Sequence, residues 1–135
     1  MILLRDYMAN DPLADALNSI KTHEMFSKQV CEVKPSKLVR ETLKILQRMG
    51  YIGDFEFVDD GKSGYFKIKL LGKINRCGAV KPRFAVKRSD WNDWESKYLP
   101  GSGFGVFVVS TPQGLMTHTE AKEKGLGGRL LAFVY

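Results

Sequence analysis

The chain has 135 residues, 44% of them apolar, which gives room for one or two small cores and excludes large domains. Its 21 basic and 15 acidic residues leave a net charge of +6, a modest excess that favours polyanions without identifying one. No apolar run approaches the roughly 20 residues that a membrane-spanning helix needs. Met1 to Leu4 is broken by Arg5 and Asp6, so it does not read as a signal peptide and the expected location is the cytoplasm.

Thirteen basic and ten acidic residues precede Gly78, and eight and five follow it or lie beyond. There is no basic tail, so any surface for a polyanion has to be assembled by folding. Cys31 and Cys77 share no zinc spacing with each other or with His23 and His118. They read as reduced thiols, and neither a metal nor a cofactor is expected.

Residues 1–10 form a lead-in that receives no assignment. Asp11 is a natural N-cap and Pro12 a natural first helical residue. Leu13, Ala16, Leu17 and Ile20 then recur at helical spacing, with Asp15, Asn18 and Lys21 on the wet side. Gln29 to Val33 alternates as a strand. Ser36 caps a second helix whose apolar stripe is Leu38, Val39, Leu43, Leu46 and Met49, ending at Gly50. Its opposite face carries Lys37, Arg40, Lys44 and Arg48, for which simple solvation and RNA contact both stay open. Phe55–Val58 and Tyr65–Leu70 read as a hairpin around Asp59 to Gly64. The predicted first domain, residues 1–78, is therefore α-β-α-β-β, with two helices on one face of a three-stranded sheet.

A second domain, residues 79–135, is expected to be mostly β with one short capped helix, giving an α+β protein. Lys81 to Phe84 opens it as a short basic strand. Trp91, Trp94 and Tyr98 recur at helical spacing before Pro100, either as a packing stripe or as a stacking platform. Gly101 to Gly105 precedes a strand instead of opening a helix, so it is no dinucleotide-binding loop. Phe104 to Val109 is a buried strand, and Ser110, Thr111, Pro112, Gln113 and Gly114 form a polar turn. Thr117 to Glu120 is a capping box that starts a helix near His118, stopped at Gly125. Gly127 and Gly128 allow close backbone approach before the apolar strand Leu130 to Tyr135.

Catalysis is not expected. His118 reads as exposed and without an evident orienting carboxylate, and turn formation accounts for Asp59 and Asp60. Ser110 lies outside any G-x-S-x-G elbow.

The C-terminal run resembles the signature of the S-eight family of small-subunit ribosomal proteins. Ser110-Thr111-Pro112-Gln113-Gly114, Met116 to Ala121 and Gly125-Leu126-Gly127-Gly128 carry the resemblance, with Asp11 to Asp15 and Lys34 to Leu38 in support. The middle stretch, from Lys81 through Trp91, Trp94 and Tyr98 to Pro100, departs from the bacterial pattern and looks like the archaeal and eukaryotic branch. The resemblance implies a structural protein of the small ribosomal subunit that binds an irregular helix in the central domain of the ribosomal RNA early in assembly. It also implies neighbouring ribosomal proteins as partners and, in some members, repression of translation through the protein's own messenger RNA. Short hydroxyls and amides suit 2′-hydroxyls and sugar edges in a shallow minor groove. The candidate RNA-binding residues are therefore Ser110, Thr111 and Gln113, with Gly114, Gly127 and Gly128 offering backbone N–H groups. Pro112 stands where the bacterial pattern has a third hydroxyl, and Arg129 where it has a glutamate; an arginine there suits a phosphate. On the first helix the resemblance points to Asn18, Lys21 and Asp11, the last serving equally well as a cap alone. The competing reading is a protein–protein adaptor anchored on exposed Trp91 and Trp94.

Overall fold

The computed structural model describes residues 11–81, 83–100 and 104–135. Helix α1, Pro12–Met25, starts where the Asp11 side chain accepts the Ala14 N–H at 3.2 Å, and it buries Leu13, Ala16, Leu17 and Ile20. After β1, Val30–Val33, Ser36 caps α2, Lys37–Arg48, by accepting the Val39 N–H at 3.1 Å. Strands β2, Ile52–Val58, and β3, Tyr65–Leu70, complete an antiparallel sheet in the order β1-β3-β2. Cys31, Val33, Phe66, Ile68 and Leu70 join the buried residues of both helices in one core.

Two details differ from expectation. Met49 is the C-cap of α2 and 42% exposed, so Ile45 takes its place in the buried stripe. β2 begins at Ile52 instead of Phe55; a register shift between those residues breaks the alternation that marks a strand in sequence. The loop before β3 is held as its composition suggests. Asp59 accepts the Gly61 N–H, and Asp60 accepts those of Lys62 and Gly64, all at 3.0 Å.

The second sheet contains β4 (Cys77–Ala79), β5 (Ala85–Val86), β6 (Val106–Thr111), β7 (Gly114–Thr117) and β8 (Gly128–Val134). Their order is β4-β8-β6-β7, with β5 also against β8. Helix α3, Trp91–Tyr98, precedes β6, and α4, His118–Lys124, precedes β8. Gly125 closes α4 in the left-handed conformation, φ 66°. The short strand is Ala85–Val86, displaced from the expected Lys81–Phe84; Pro82 of that stretch lies outside the described residues. β6 starts at Val106 because Gly105 has φ +85°, which leaves Phe104 exposed. Gly101 to Gly103 lie outside the described residues. β7 was not anticipated: the polar turn is only Pro112-Gln113, tight enough for Gly114 to pair with Thr111.

This second sheet is covered on both faces. Val106, Val108, Leu131, Ala132 and Val134 extend the core of the first helices and strands. Phe107, Val109, Met116 and Leu130 face a second core with Val80, Trp91, Leu99 and Ala121. A strand buried on both sides needs a continuous apolar run, which is what β6 supplies. The boundary proposed at Gly78 is therefore one of chain topology, since the first core draws side chains from both sides of it.

Leu131→Ala should thus lower the stability of the whole chain, by about 2–5 kcal/mol. Urea unfolding followed by tryptophan emission and by far-ultraviolet circular dichroism should keep a single coincident transition at a lower midpoint. Two separated transitions would mean that the shared core does not couple the two sheets.

Candidate nucleic-acid interface

The polar turn sits where β6, β7 and β8 meet. Ser110 pairs with Leu115 on one side and Arg129 on the other. The two hydroxyls that sequence places together have different surroundings. Thr111 is buried; its hydroxyl donates to the Gly114 carbonyl at 2.8 Å and accepts the Gln113 N–H at 3.2 Å, locking the turn from inside. Ser110 is half-buried, and among the described residues no internal hydrogen bond engages its hydroxyl. Pro112, Gln113 and Gly114 are exposed, and Gly114 has φ +113°, a conformation that side chains resist.

The glycine pair is explained by its neighbours. A Cβ on Gly127 would lie 2.6 Å from the Val86 carbonyl oxygen, and one on Gly128 would lie 2.5 Å from that of Ser110. Their missing side chains let β8 pass between β5 and β6, bringing Ser110 beside Gly128.

Sequence reasoning read only the first half of the segment that β8 then meets, Lys81 to Phe84 as a basic strand, and did not place it in the interface. Residues 81–88 carry Lys81, Arg83, Lys87 and Arg88 and no carboxylate. All four cationic residues are exposed. The segment is tied down at both ends. Lys81 Nζ is 2.9 Å and Arg83 3.9 Å from the Asp11 carboxylate, which also caps α1. Farther on, Arg129 donates to the Arg83 carbonyl at 3.1 Å, while Ala85 pairs with Arg129 and Val86 with Gly128. Burial alone would raise the Asp11 carboxyl, but Lys81, the Ala14 N–H and Arg83 hold it below the usual aspartate range. Asp11 is thus engaged as cap and anchor together. The density of basic residues was the available signal; the pairing that lays them against Arg129 was not readable locally.

Asn18 and Lys21 stand apart from the turn, on α1. With Lys81, Tyr98 and Phe133 they line a groove of about 480 Å³ between α1 and the second sheet, and no carboxylate lines it. The basic face of α2 is partly neutralised instead: Arg48 pairs with Glu120 of α4, and Lys44 Nζ is 3.6 Å from Glu41. Glu120 consequently does not reach back to close the expected capping box, although its N–H donates to the Thr117 hydroxyl at 3.2 Å.

Two expectations are corrected. Trp91 is 1% exposed and donates its indole N–H to the Leu126 carbonyl at 3.1 Å. Trp94 is half-buried against Phe84 and Tyr98, with Lys97 over its ring. A short helix must turn its apolar side to the sheet to be stable at all, so this pair offers no exposed anchor for an adaptor. His118 is buried, not exposed. Its Nδ1 accepts the Phe107 N–H at 3.1 Å, and its Nε2 lies 2.9 Å from Glu95, which Lys122 also pairs with. Glu95 is the carboxylate that sequence reasoning did not find, yet both imidazole nitrogens are occupied, so the arrangement locks α3 to α4 and offers no acceptor for a substrate proton. Burial pushes the His118 pKa down, with Glu95 opposing. Burial would raise Glu95, but Lys122 and His118 hold it lower than usual.

Cys31 and Cys77 are buried and unpaired, and burial pushes the Cys77 thiol up to about 12. Among the described residues no group of three or more His, Cys, Asp or Glu gathers as metal ligands, and no helix is long and apolar enough to cross a membrane.

At β8 of this α+β protein a polar turn, a close-packed glycine pair and a group of exposed cations come together, with Lys87, Arg88 and Arg129 lacking an ion-pair partner among the described residues, a surface that suits a polyanion. A family model described as Ribosomal protein S8 matches residues 11–135. The chain belongs to the ribosomal protein S8 family, as the signature around Ser110 and Gly127 suggests. It is accordingly a structural protein of the small ribosomal subunit, with ribosomal RNA and other ribosomal proteins as its partners in translation, and its family is not one of enzymes.

Gly128→Ala should cost about 1–3 kcal/mol, because the new methyl meets backbone that cannot swing aside. Thermal melting checks this, and an unchanged midpoint would show that β8 has slack. A second expectation concerns acid. His118 binds its proton less well folded than unfolded, so stability is complete above its ordinary value of 6.5 and falls as pH drops below that. Glu95, also lowered, adds a further loss below 4.5. Urea midpoints measured across this range should fall on acidification, and His118→Gln should flatten the first part of the decline.

Proposed function

We propose that residues 81–88, the Ser110 turn, the glycine pair and Arg129 form one surface that holds an irregular helix in the central domain of small-subunit ribosomal RNA. The observation that carries this reading is the junction at Arg129, whose side chain bonds to Arg83 while its backbone pairs with Ala85 and Ser110. That junction joins the cations to the polar turn. Phosphates would meet Lys81, Arg83, Lys87, Arg88 and Arg129. Ser110 and Gln113 would reach 2′-hydroxyls and base edges in the minor groove, with Gly114, Gly127 and Gly128 admitting the sugar–phosphate chain to the backbone. Thr111 acts indirectly, by fixing the turn. Asn18 and Lys21 supply a second contact at the α1 groove.

Binding to this helix belongs early in subunit assembly, in the cytoplasm. A messenger RNA of the protein that copies the helix would occupy the same surface and repress its own translation. Nothing in this reading calls for a bound cofactor or a reaction.

Affinity for a central-domain RNA fragment should fall with salt on a log–log slope of roughly −3 to −6, the release expected for a handful of neutralised phosphates. Arg83→Gln and Arg129→Gln should each flatten that slope by about 1. Ser110→Ala should weaken binding by about 0.5–1.5 kcal/mol with the slope unchanged, since it removes an oxygen and no charge. Thr111→Ala should instead lower the melting temperature. A flat salt response of the unaltered protein would overturn the proposal.

A further inference from the structure

Strand β2 is an edge of the first sheet, paired with β3 on one side. Among the described residues no strand pairs with its other side. An open edge displays backbone N–H and C=O groups ready for another strand, and folded proteins usually blunt such edges. Here the register shift between Ile52 and Phe55 blunts only the start, leaving Phe55 to Val58 regular and Phe57 54% exposed.

Helix α2 forms the wall beside this edge. Arg40 and Lys44, one turn apart, stand over a groove of about 520 Å³ that is also lined by Phe55, Glu56, Phe57 and Phe66. The aromatic floor is preset. Phe55 and Phe57 each meet Phe66 edge to face, at 5.8 and 5.9 Å. The Phe57 ring lies over Gly64, so close that a Cβ there would be 2.3 Å from it. Glu56 is in register with Lys67, on the sheet face that points away from the helices. Lys44 is shared with Glu41, whereas Arg40 has no carboxylate in ion-pairing range among the described residues.

We propose that this groove takes an extended acidic segment of a neighbouring protein of the small subunit, added to β2 as a further strand. Strand addition supplies affinity through backbone hydrogen bonds and specificity through alternate side chains. Every second residue of the guest would enter the groove, with apolar groups over Phe55 and Phe57 and a carboxylate at Arg40 and Lys44. RNA fits less well, because a nucleic-acid strand cannot return the alternating donors and acceptors of β2. A second copy of this chain fits less well too. Its own edge would bring Asp54 and Glu56 against the same residues, and like charges across strands are destabilising. The inference needs only membership of the subunit and does not depend on the RNA surface proposed above.

The test uses small subunits assembled with a Phe57→benzoylphenylalanine protein, irradiated and analysed by mass spectrometry. The expected adduct is a peptide of another ribosomal protein in which apolar residues and a carboxylate recur at every second position, on one face of the added strand. In that background R40E/K44E should lower the adduct yield about tenfold, as opposed charges become like ones. The R40K/K44R pair should retain it. Binding of central-domain RNA should stay unchanged in all of these proteins, which separates this result from the fate of the RNA surface. Where the double reversal does not assemble, Arg40→Gln decides, with an expected loss of about threefold. An adduct with RNA or with a second copy, no adduct at all, or a yield indifferent to Arg40 would overturn the proposal.

Discussion

The passage of β8 between two backbones is the constraint on which the rest of this structure depends. Gly127 and Gly128 have no side chains because the carbonyls of Val86 and Ser110 occupy the space where Cβ atoms would stand. Once β8 is seated there, its residues fill both cores, Leu131, Ala132 and Val134 on one side and Leu130 on the other, with a register shift that leaves Leu131 out of the pairing. The same seating brings Arg129 to Arg83 and to Ser110. Stability and the candidate surface thus share one geometric cause. A side chain added at Gly128 would disturb the position of Ser110 and the packing of β8 together, so loss of binding at these glycines need not mean that RNA touches them.

Electrostatics divides along similar lines. Carboxylates occupy the places where two parts of the chain must be joined: Asp11 ties α1 to Lys81 and Arg83, Glu95 ties α3 to His118 and Lys122, and Glu120 ties α4 to Arg48. Each of these acids is partly shielded from water, where an ion pair is worth more than on the open surface. Lys87, Arg88 and Arg129 have no ion-pair partner among the described residues, and they lie by the glycine pair. Three carboxylates thus hold the joints, while Lys87, Arg88 and Arg129 beside the glycine pair stay unpaired.

Much of this was legible residue by residue. The caps at Asp11, Ser36 and Thr117 and the stops at Gly50 and Gly125 are local chemistry, and α1, α2 and α4 begin at those caps while α2 and α4 end at those stops. The two-sided burial of β6 was readable in its unbroken apolar run. What could not be read was whatever depends on a partner distant in the chain. His118 looked exposed because its own neighbours are polar; Glu95, which buries it, lies on another helix. Trp91 and Trp94 read either as packing or as an exposed platform, because eight residues of helix carry too little pattern to reveal the Leu126 carbonyl that receives the indole; packing is what the structure has. Only Lys81 to Phe84 of the segment from Lys81 to Arg88 reads as basic in sequence, and its attachment to Arg129 arises only when β5 and β8 pair.

The adjacent hydroxyls of Ser110 and Thr111 show how far a motif can be interpreted without its surroundings. In sequence they are equivalent, two small oxygens at the end of a strand. Residues next to each other on a strand point to opposite faces, so one register cannot offer both to the same ligand. Thr111 turns inward and spends both hydrogen-bonding capacities on the turn, donating to Gly114 and accepting from Gln113. Ser110 is left beside Gly128 with its hydroxyl uncommitted. A ligand recognised here would therefore meet one hydroxyl directly and the other only through the shape it imposes. Pro112 fits that division: it gives up a donor but restricts the backbone of the two-residue turn that Thr111 closes. The Ser-Thr-Pro-Gln-Gly run thus presents an uncommitted hydroxyl and an exposed amide on a turn that Thr111 closes.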